Sequence, residues 1–397
     1  MLPIIHQDMQ GVDADLHNRI RQALDAKLGD GASSVSNSIG FELDSTNSEF
    51  LFWLNEPSPL VMNSELIDQV RVILQYELYP SYTVLPDHGL DLVVRENVPA
   101  ESARAVRIKL HHGTFDRLTY RSYSSLQLDK SRSTPRIPLE YTLSLELGDG
   151  INSNILITGI SGSGKTRLIE TLVAFDICWL GTGYMNDNSQ DIVVIDPKND
   201  PSLYRFCKMM HVEYVSPRTG TNSAEFFDRV LQRLNKVKND MQNEYIKMQQ
   251  NENYQPRHRF VYVDELYSLA NLAVTAKQVK EYRLLINLLT LQSRGANISL
   301  IFSSQTMPVG TGGALDSSAR DQFPVRIVLS KHPTKEDCRY LLKDLERPEE
   351  IIIPRDEYST GYGLIQMPSG QIYPFKAPWI RDNRYDGYET GNGGKHE

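Results

Sequence analysis

The chain has 397 residues, 40% hydrophobic and 23% charged, the make-up of a soluble globular protein with one large core or two domains. No run approaches the ~18 apolar residues that cross a bilayer, and the start Met1-Leu2-Pro3-Ile4-Ile5 lacks the basic flank and apolar stretch of a signal peptide, so a cytoplasmic protein with no intrinsic membrane segment is expected. A net charge of −8 argues against a surface coated in positive charge for gripping nucleic acid, though not against a local basic patch.

Leu16, Ile20, Ala23, Leu24 and Leu28 recur at helical spacing and predict a short amphipathic helix within residues 1–28. Residues 29–48 are rich in Gly, Ser, Asn and Asp and read as a loop or linker. Residues 50–54 form an apolar strand pattern. A helix follows from Asn63 or Ser64, with Leu66, Ile67, Val70 and Ile73 on its buried side. Alternation at 90–95, 105–110 and 117–128 predicts strands. Between Arg104 and Arg136, eight basic residues meet only Asp116 and Asp129, a net +6 that leaves −14 for the rest. That stretch reads equally well as a local anion-binding face and as a solvated sheet surface. His111-His112 has no further ligand at metal spacing and reads as exposed imidazole. Residues 1–135 thus form an α+β domain of unknown role. The three scattered cysteines, Cys178, Cys207 and Cys338, suit reduced structural thiols.

From residue 136 to about 380, short apolar runs alternate with helical stretches, the pattern of an α/β fold with a parallel sheet covered by helices on both faces. Strands are predicted at 155–158, 192–195, 260–263, 300–303 and 325–329, with a hairpin of 362–367 and 371–375 around Pro368-Ser369-Gly370. The polar, Gly-rich tail 381–397 is expected to be disordered.

Residues 159–166 read Gly-Ile-Ser-Gly-Ser-Gly-Lys-Thr, between an apolar strand and a helix-compatible run, the context a phosphate-binding P-loop requires. Gly159, Gly162 and Gly164 let backbone amides approach a phosphate, and the helix that follows adds its N–H groups and positive dipole end. The nucleotide-binding set is therefore Gly159, Ile160, Ser161, Gly162, Ser163, Gly164, Lys165, Thr166 and Arg167, with ATP and Mg²⁺ as the expected ligands. Lys165 reaches the β- and γ-phosphates, and the Thr166 hydroxyl is a metal ligand. The run Phe260-Val261-Tyr262-Val263-Asp264-Glu265 brings Asp264 to the end of a strand as second metal ligand, with Glu265 next to it as general base. Ser303-Ser304-Gln305 ends another strand. Gln305 there either senses the γ-phosphate and orients the attacking water, or is a strand-end amide satisfied by backbone. The strand at 192–195 lies in sequence between the P-loop and the Asp264 strand, so those two need not be neighbours. An extra strand between them, with an acidic pair, points to hydrolysis-driven machines of the RecA/ASCE type of P-loop NTPase rather than to small kinases.

With these residues in place, the chain resembles the HerA–FtsK superfamily, and within it the FtsK/SpoIIIE motor domain. Asp196-Pro197-Lys198 resembles the family's "DPK", the helix running to Glu244-Tyr245 its "EMERRY", and Asp264-Glu265-Leu266-Tyr267-Ser268-Leu269 its "DEFADL". Ser293-Arg294-Gly295-Ala296 resembles the start of "ARAAGIHL", and Ser304-Gln305-Thr306-Met307-Pro308 resembles "TQRPS". Phe323-Pro324-Val325-Arg326-Ile327 resembles "IPTRIAF", and Asp337-Cys338-Arg339 resembles "DSR". The match spans about residues 135–380. The resemblance implies a homo-oligomeric ring, a hexamer, that threads double-stranded DNA and binds nucleotide between subunits. It also implies an arginine supplied in trans to the γ-phosphate, for which Arg294 is the first candidate, Arg326 the second and Arg339 the third. Each reads otherwise as a surface or interface salt bridge. Lys277, Lys280 and Arg283 read either as phosphate contacts or as an exposed helix face.

Against the family, no membrane spans and no C-terminal winged-helix module are expected in this chain, since only about twenty residues follow Trp379. It also carries polar insertions at 183–190 and 310–313. A compact member of this kind suits a coupling or DNA-transfer ATPase of a plasmid or integrative element, working with a relaxase or other DNA-processing protein. Two rival readings remain: a protein-secretion motor of the type VII kind, which shares the motor fold, and an ATP-dependent adaptor that recruits a relaxase or initiator.

Overall fold

The computed structural model describes residues 12–29, 38–55, 58, 60–86, 90–99, 103–126, 136–138, 144–146, 154–182, 186–220, 222–273, 275–308 and 313–381. Residues 310–312 and 183–185 of the two insertions, and the tail from 382, for which disorder is expected, lie outside them. Two compact units are present: Met1–Phe115 with Asp344–Pro354, and Asp116–Lys343 with Arg355–Glu397. The change of composition near residue 135 sets the sequence boundary. Packing divides the chain after Phe115, because Tyr123 and Leu126 are already buried in the second core.

In the first unit, helices α1 (Val12–Leu28) and α2 (Ser64–Glu77) accompany strands β1 (Ile39–Asp44), β2 (Glu49–Leu54), β3 (Tyr82–Val84), β4 (Leu92–Val94) and β5 (Arg104–His112). The strands run in the antiparallel order β1-β2-β5-β3, with β4 also paired to β5. Asn63 caps α2 by accepting the Leu66 N–H at 2.9 Å, and Leu66, Ile67, Val70, Ile73 and Leu74 form its buried face. Phe50 and Phe52, two apart on β2, point into the same core.

Three expectations change here. Residues 39–44, read as part of a loop, are a strand. The glycine that gave them a loop-like composition is required by packing, since Gly40 faces Trp53 across β1 and β2 and a Cβ there would lie 2.2 Å from the indole Nε1. His111 is not simply exposed, for it stacks on Phe115 with ring centroids 4.0 Å apart. The basic run from 104 is likewise no single face. Arg107 is paired with Asp91 and Glu49 in the first unit, while Arg117 is buried in the second.

The second unit starts with β6 (Thr119–Tyr120), β7 (Arg136–Pro138) and β8 (Ser144–Glu146), and continues with β9 (Ile155–Gly159), α3 (Lys165–Leu180), β10 (Ile192–Ile195), α4 (Pro201–Met209), β11 (Glu213–Val215) and α5 (Ser223–Gln250). Then come β12 (Arg259–Val263), α6 (Leu266–Ala270), α7 (Ala276–Gln292), β13 (Ile298–Ser304), α8 (Ser317–Arg320), β14 (Val325–Leu329), α9 (Lys335–Cys338), β15 (Tyr362–Gln366), β16 (Ile372–Lys376) and β17 (Trp379–Ile380). Eight strands form one sheet in the order β11-β10-β12-β13-β9-β14-β15-β16. The first six are mutually parallel, and the β15–β16 hairpin closes the edge antiparallel. Every residue of β9, β10 and β13 is buried, so both faces of the sheet are covered. This is the α/β P-loop NTPase fold expected from the sequence, preceded by a small α+β region. β9 and β12 are separated in space, but by β13 rather than by β10, the strand between them in sequence.

Candidate functional site

The parallel register aligns the C-terminal ends of four strands. Val263 of β12 pairs with Ile195 of β10 and Phe302 of β13, and Ser304 of β13 pairs with Thr158 of β9. Asp196, Asp264, Gln305 and the 160–164 loop therefore leave the sheet along one edge, where ligands of open α/β sheets bind.

At β9 the chain turns into α3 through Gly162 and Gly164, whose φ values of 78° and 104° would strain any side chain. Gly159 is required for another reason: a Cβ there would lie 2.5 Å from Ser163 Oγ and 2.8 Å from the Leu329 carbonyl. Ile160, Ser161 and Gly162 stand exposed at the rim. Lys165 opens α3 with its Nζ donating to the carbonyls of Gly159 (2.6 Å) and Ile160 (3.3 Å), 3.9 Å from Glu265. Burial pulls its pKa down, opposed by the charges of Glu265 and Asp264. Thr166 is half-buried in the first turn. The Arg167 guanidinium turns away to Glu170 at 2.8 Å, a buried carboxylate that also accepts from Tyr123 (3.0 Å) and Ser202 (2.8 Å).

Asp264 and Glu265 are almost fully buried. Asp264 accepts from the Ser303 hydroxyl and from the Glu265 N–H. Burial pushes its pKa up to about 6, the Ser303 hydrogen bond opposing and the nearby charges of Asp196 and Glu265 adding. Glu265 takes the left-handed conformation (φ 48°, ψ 48°), which costs a non-glycine residue about 1 kcal/mol and turns the chain sharply from β12 into α6. Its carboxylate sits between two ammonium groups, Lys198 at 2.5 Å and Lys165 at 3.9 Å. Lys198 is held by Asp196, whose two oxygens accept the N–H groups of Lys198 and Asp200 at 2.7 Å each and the Tyr214 hydroxyl at 2.6 Å.

The edge thus gathers Lys165, Thr166, Asp264 and Glu265, with Gln305 exposed one residue past Ser304. Arg294 is not part of this group. It is exposed in the turn before β13, at the opposite end of that strand and so about 20 Å from this edge. Arg326 donates to the Phe323 and Leu341 carbonyls at 3.1 Å each and pairs with Asp321. Arg339 is exposed and pairs with Glu336 at 3.2 Å. Lys277 and Lys280 are exposed on α7, and Arg283 is half-buried. Sequence reasoning met Lys198 and Ser303 only inside motifs. What marks both is their position at strand ends on the edge that carries Asp264.

A triphosphate and Mg²⁺ fit these donors. The turn is open at Gly162, where an added Cβ would meet nothing within 4 Å, and Ser163 Oγ is buried without a hydrogen-bond partner among the described residues. Thr166 and Asp264 supply the hard oxygens Mg²⁺ prefers. Among the described residues no group of three or more His, Cys, Asp or Glu could hold a metal by itself, and a cation shared with phosphates needs none.

Residues 151–307 match the family model of the AAA domain. No curated protein matches the sequence. Among solved structures, the pCW3 conjugation coupling protein TcpA, in its monomer form with ATPγS, aligns over 94% of this chain and 97% of its own, with a TM-score of 0.51 and 15% identity. The cytoplasmic domain of the Thermomonospora curvata type VII secretion ATPase EccC aligns over 65% of this chain and 30% of its own, with a TM-score of 0.43 and 17% identity. The cytoplasmic domain of EssC aligns over 85% and 58%, with a TM-score of 0.42 and 15% identity. At such identities the likeness to TcpA is one of fold. No helix among the described residues is long and apolar enough to cross a membrane. The second unit carries an AAA-type P-loop ATPase domain.

Proposed function

We propose, from the premise of a P-loop ATPase domain, that this protein is an ATP-driven double-stranded DNA translocase working as a homo-oligomeric ring. The observation that carries the hydrolytic part is the buried Asp264–Glu265 pair, one strand removed from the P-loop strand and on the same sheet edge. The DNA part is supported by a fold shared over nearly the full length with a conjugation coupling protein. On this reading the protein is the coupling ATPase of a plasmid or integrative element and acts in the cytoplasm with a relaxase or similar partner.

The geometry supports the following chemistry. Lys165 exchanges its bonds to the Gly159 and Ile160 carbonyls for β- and γ-phosphate oxygens. Mg²⁺, when held by Thr166 and Asp264, neutralises charge that builds on the phosphates. Glu265 accepts a proton from water as its oxygen bonds to the γ-phosphorus and the bond to the β-phosphate oxygen breaks, releasing ADP and phosphate. Gln305, exposed one residue past Ser304 on this edge, is assigned to orient that water. Arg294, exposed at the far end of β13, serves a neighbouring subunit's nucleotide rather than its own.

Turnover measured with and without duplex DNA tests the proposal. Duplex should raise ATPase activity, and rising salt should weaken the effect as phosphate contacts are screened. Lys165→Ala should abolish turnover, and Glu265→Gln should bind ATP without hydrolysing it. An ATPase indifferent to DNA but stimulated by peptide would instead make this a protein-transport motor. Normal biological function with Glu265→Gln would make it an adaptor.

A further inference from the structure

Arg117 lies outside every nucleotide motif, yet its side chain is only 2% exposed and all three of its guanidinium nitrogens are engaged. Nε donates to Asp356 Oδ2 (2.8 Å), Nη1 to the Ala377 carbonyl (2.6 Å) and Nη2 to the Thr360 carbonyl (2.8 Å). The rings of Tyr358 and Tyr362 lie 5.2 and 4.9 Å from the guanidinium carbon. A fully bonded buried arginine costs a great deal to desolvate and, once placed, permits one geometry of its partners.

Those partners surround Gly361, a left-handed residue (φ 80°). Its N–H donates to the Ser163 carbonyl at 2.9 Å, and its own carbonyl accepts from Ala377 at 2.7 Å. A Cβ on Gly361 would lie 2.8 Å from Arg117 Nη1, and a Cβ on Gly164 would lie 3.1 Å from the Gly361 nitrogen. The P-loop turn and the segment before β15 therefore meet glycine against glycine, and Arg117 backs the contact from behind.

We propose that Arg117 is a positioning residue for the nucleotide: it fixes the 356–361 segment against the turn at 163–164, and that support sets how tightly the P-loop amides hold a triphosphate. The inference rests on the P-loop as the ATP site and is independent of what the motor moves along. Asp356 shares the task. Burial raises its pKa, but hydrogen bonds from Arg117 and Tyr362 hold it below the ordinary carboxylate value, so it meets the guanidinium charged.

The test uses the full chain with Arg117→Ala, Arg117→Lys and Asp356→Asn, reading the Kd of ATPγS, KM and kcat for ATP, and the thermal midpoint. Arg117→Ala and Asp356→Asn should raise Kd and KM about tenfold while kcat moves less than about threefold, because the amides lose their register and the general base does not. Arg117→Lys should fall between wild type and Arg117→Ala, since one ammonium cannot span three divergent acceptors. A folded Arg117→Ala or Asp356→Asn that keeps the wild-type Kd and KM, or loses kcat alone, overturns the proposal. Should Arg117→Ala not fold, Asp356→Asn decides, because it keeps the volume and removes only the ion pair. Lys165→Ala runs alongside: unchanged ATPγS binding there would mean that the P-loop reading itself has failed.

Discussion

At the residue scale, the site holds its charges under tension. Asp264 ionises near pH 6 in the folded chain, against an ordinary 3.8, because burial penalises the carboxylate. Between those values the folded protein keeps a proton the unfolded chain has lost. Stability of the free protein therefore falls as pH rises through that window, and above about pH 6 the buried charge costs about 3 kcal/mol. On the proposed reading, magnesium nucleotide would reverse the preference, since a cation held by Asp264 needs the carboxylate. Affinity for MgATP should therefore drop as pH falls below about 6, and Asp264→Asn should bind weakly with the dependence flattened. Titration with a fluorescent ATP analogue between about pH 5 and 8 measures both, and an affinity flat across that range in the wild type would contradict the assignment. The Lys198–Glu265 contact belongs to the same balance: on the proposed reading, Glu265 must give up the ammonium group held at 2.5 Å before it can engage the attacking water.

Elements carry these residues because backbone geometry agrees with the side-chain pattern. β9 is buried throughout and ends in glycine, and α3 begins where Gly164 allows a left-handed turn. β1 was hidden because its glycine answers to a partner strand and not to its own neighbours. The register that pairs Gly40 with Trp53 leaves no room for a methyl group, so Gly40→Ala should destabilise the first unit by about 1–3 kcal/mol. Trp53→Leu should relieve part of that loss, and thermal melts of the two single variants and the double variant measure the coupling. Additive effects would mean that the ring does not lie over Gly40. β11, three residues long, went unread for lack of length: its Val193, Val194 and Ile195 partners on β10 make it a strand.

At the scale of the whole molecule, the proposed ring explains why Arg294 sits where it cannot serve its own nucleotide. If it acts across an interface, a mixture of Arg294→Ala and Lys165→Ala chains, each inactive alone, should regain partial turnover, because some interfaces join an intact P-loop to an intact arginine. ATPase assays of the mixture after subunit exchange read this directly. Turnover that stays at background would move the trans role to Arg339, whose side chain is exposed, or away from the arginines named here.

The fold class and the turn at 159–166 were legible in the linear chain because they are local: apolar runs set strands, glycine spacing sets the loop, and a carboxylate pair after a strand marks its end. The identity of the strand between β9 and β12, the lysine that grips Glu265 and the arginine that backs the P-loop were not legible. Lys198 and Glu265 are 67 positions apart, and Arg117 and Ala377 are 260 apart. Contacts of that kind arise only when sheet order and register bring distant segments to one edge, where desolvation makes each unpaired charge too costly to leave alone.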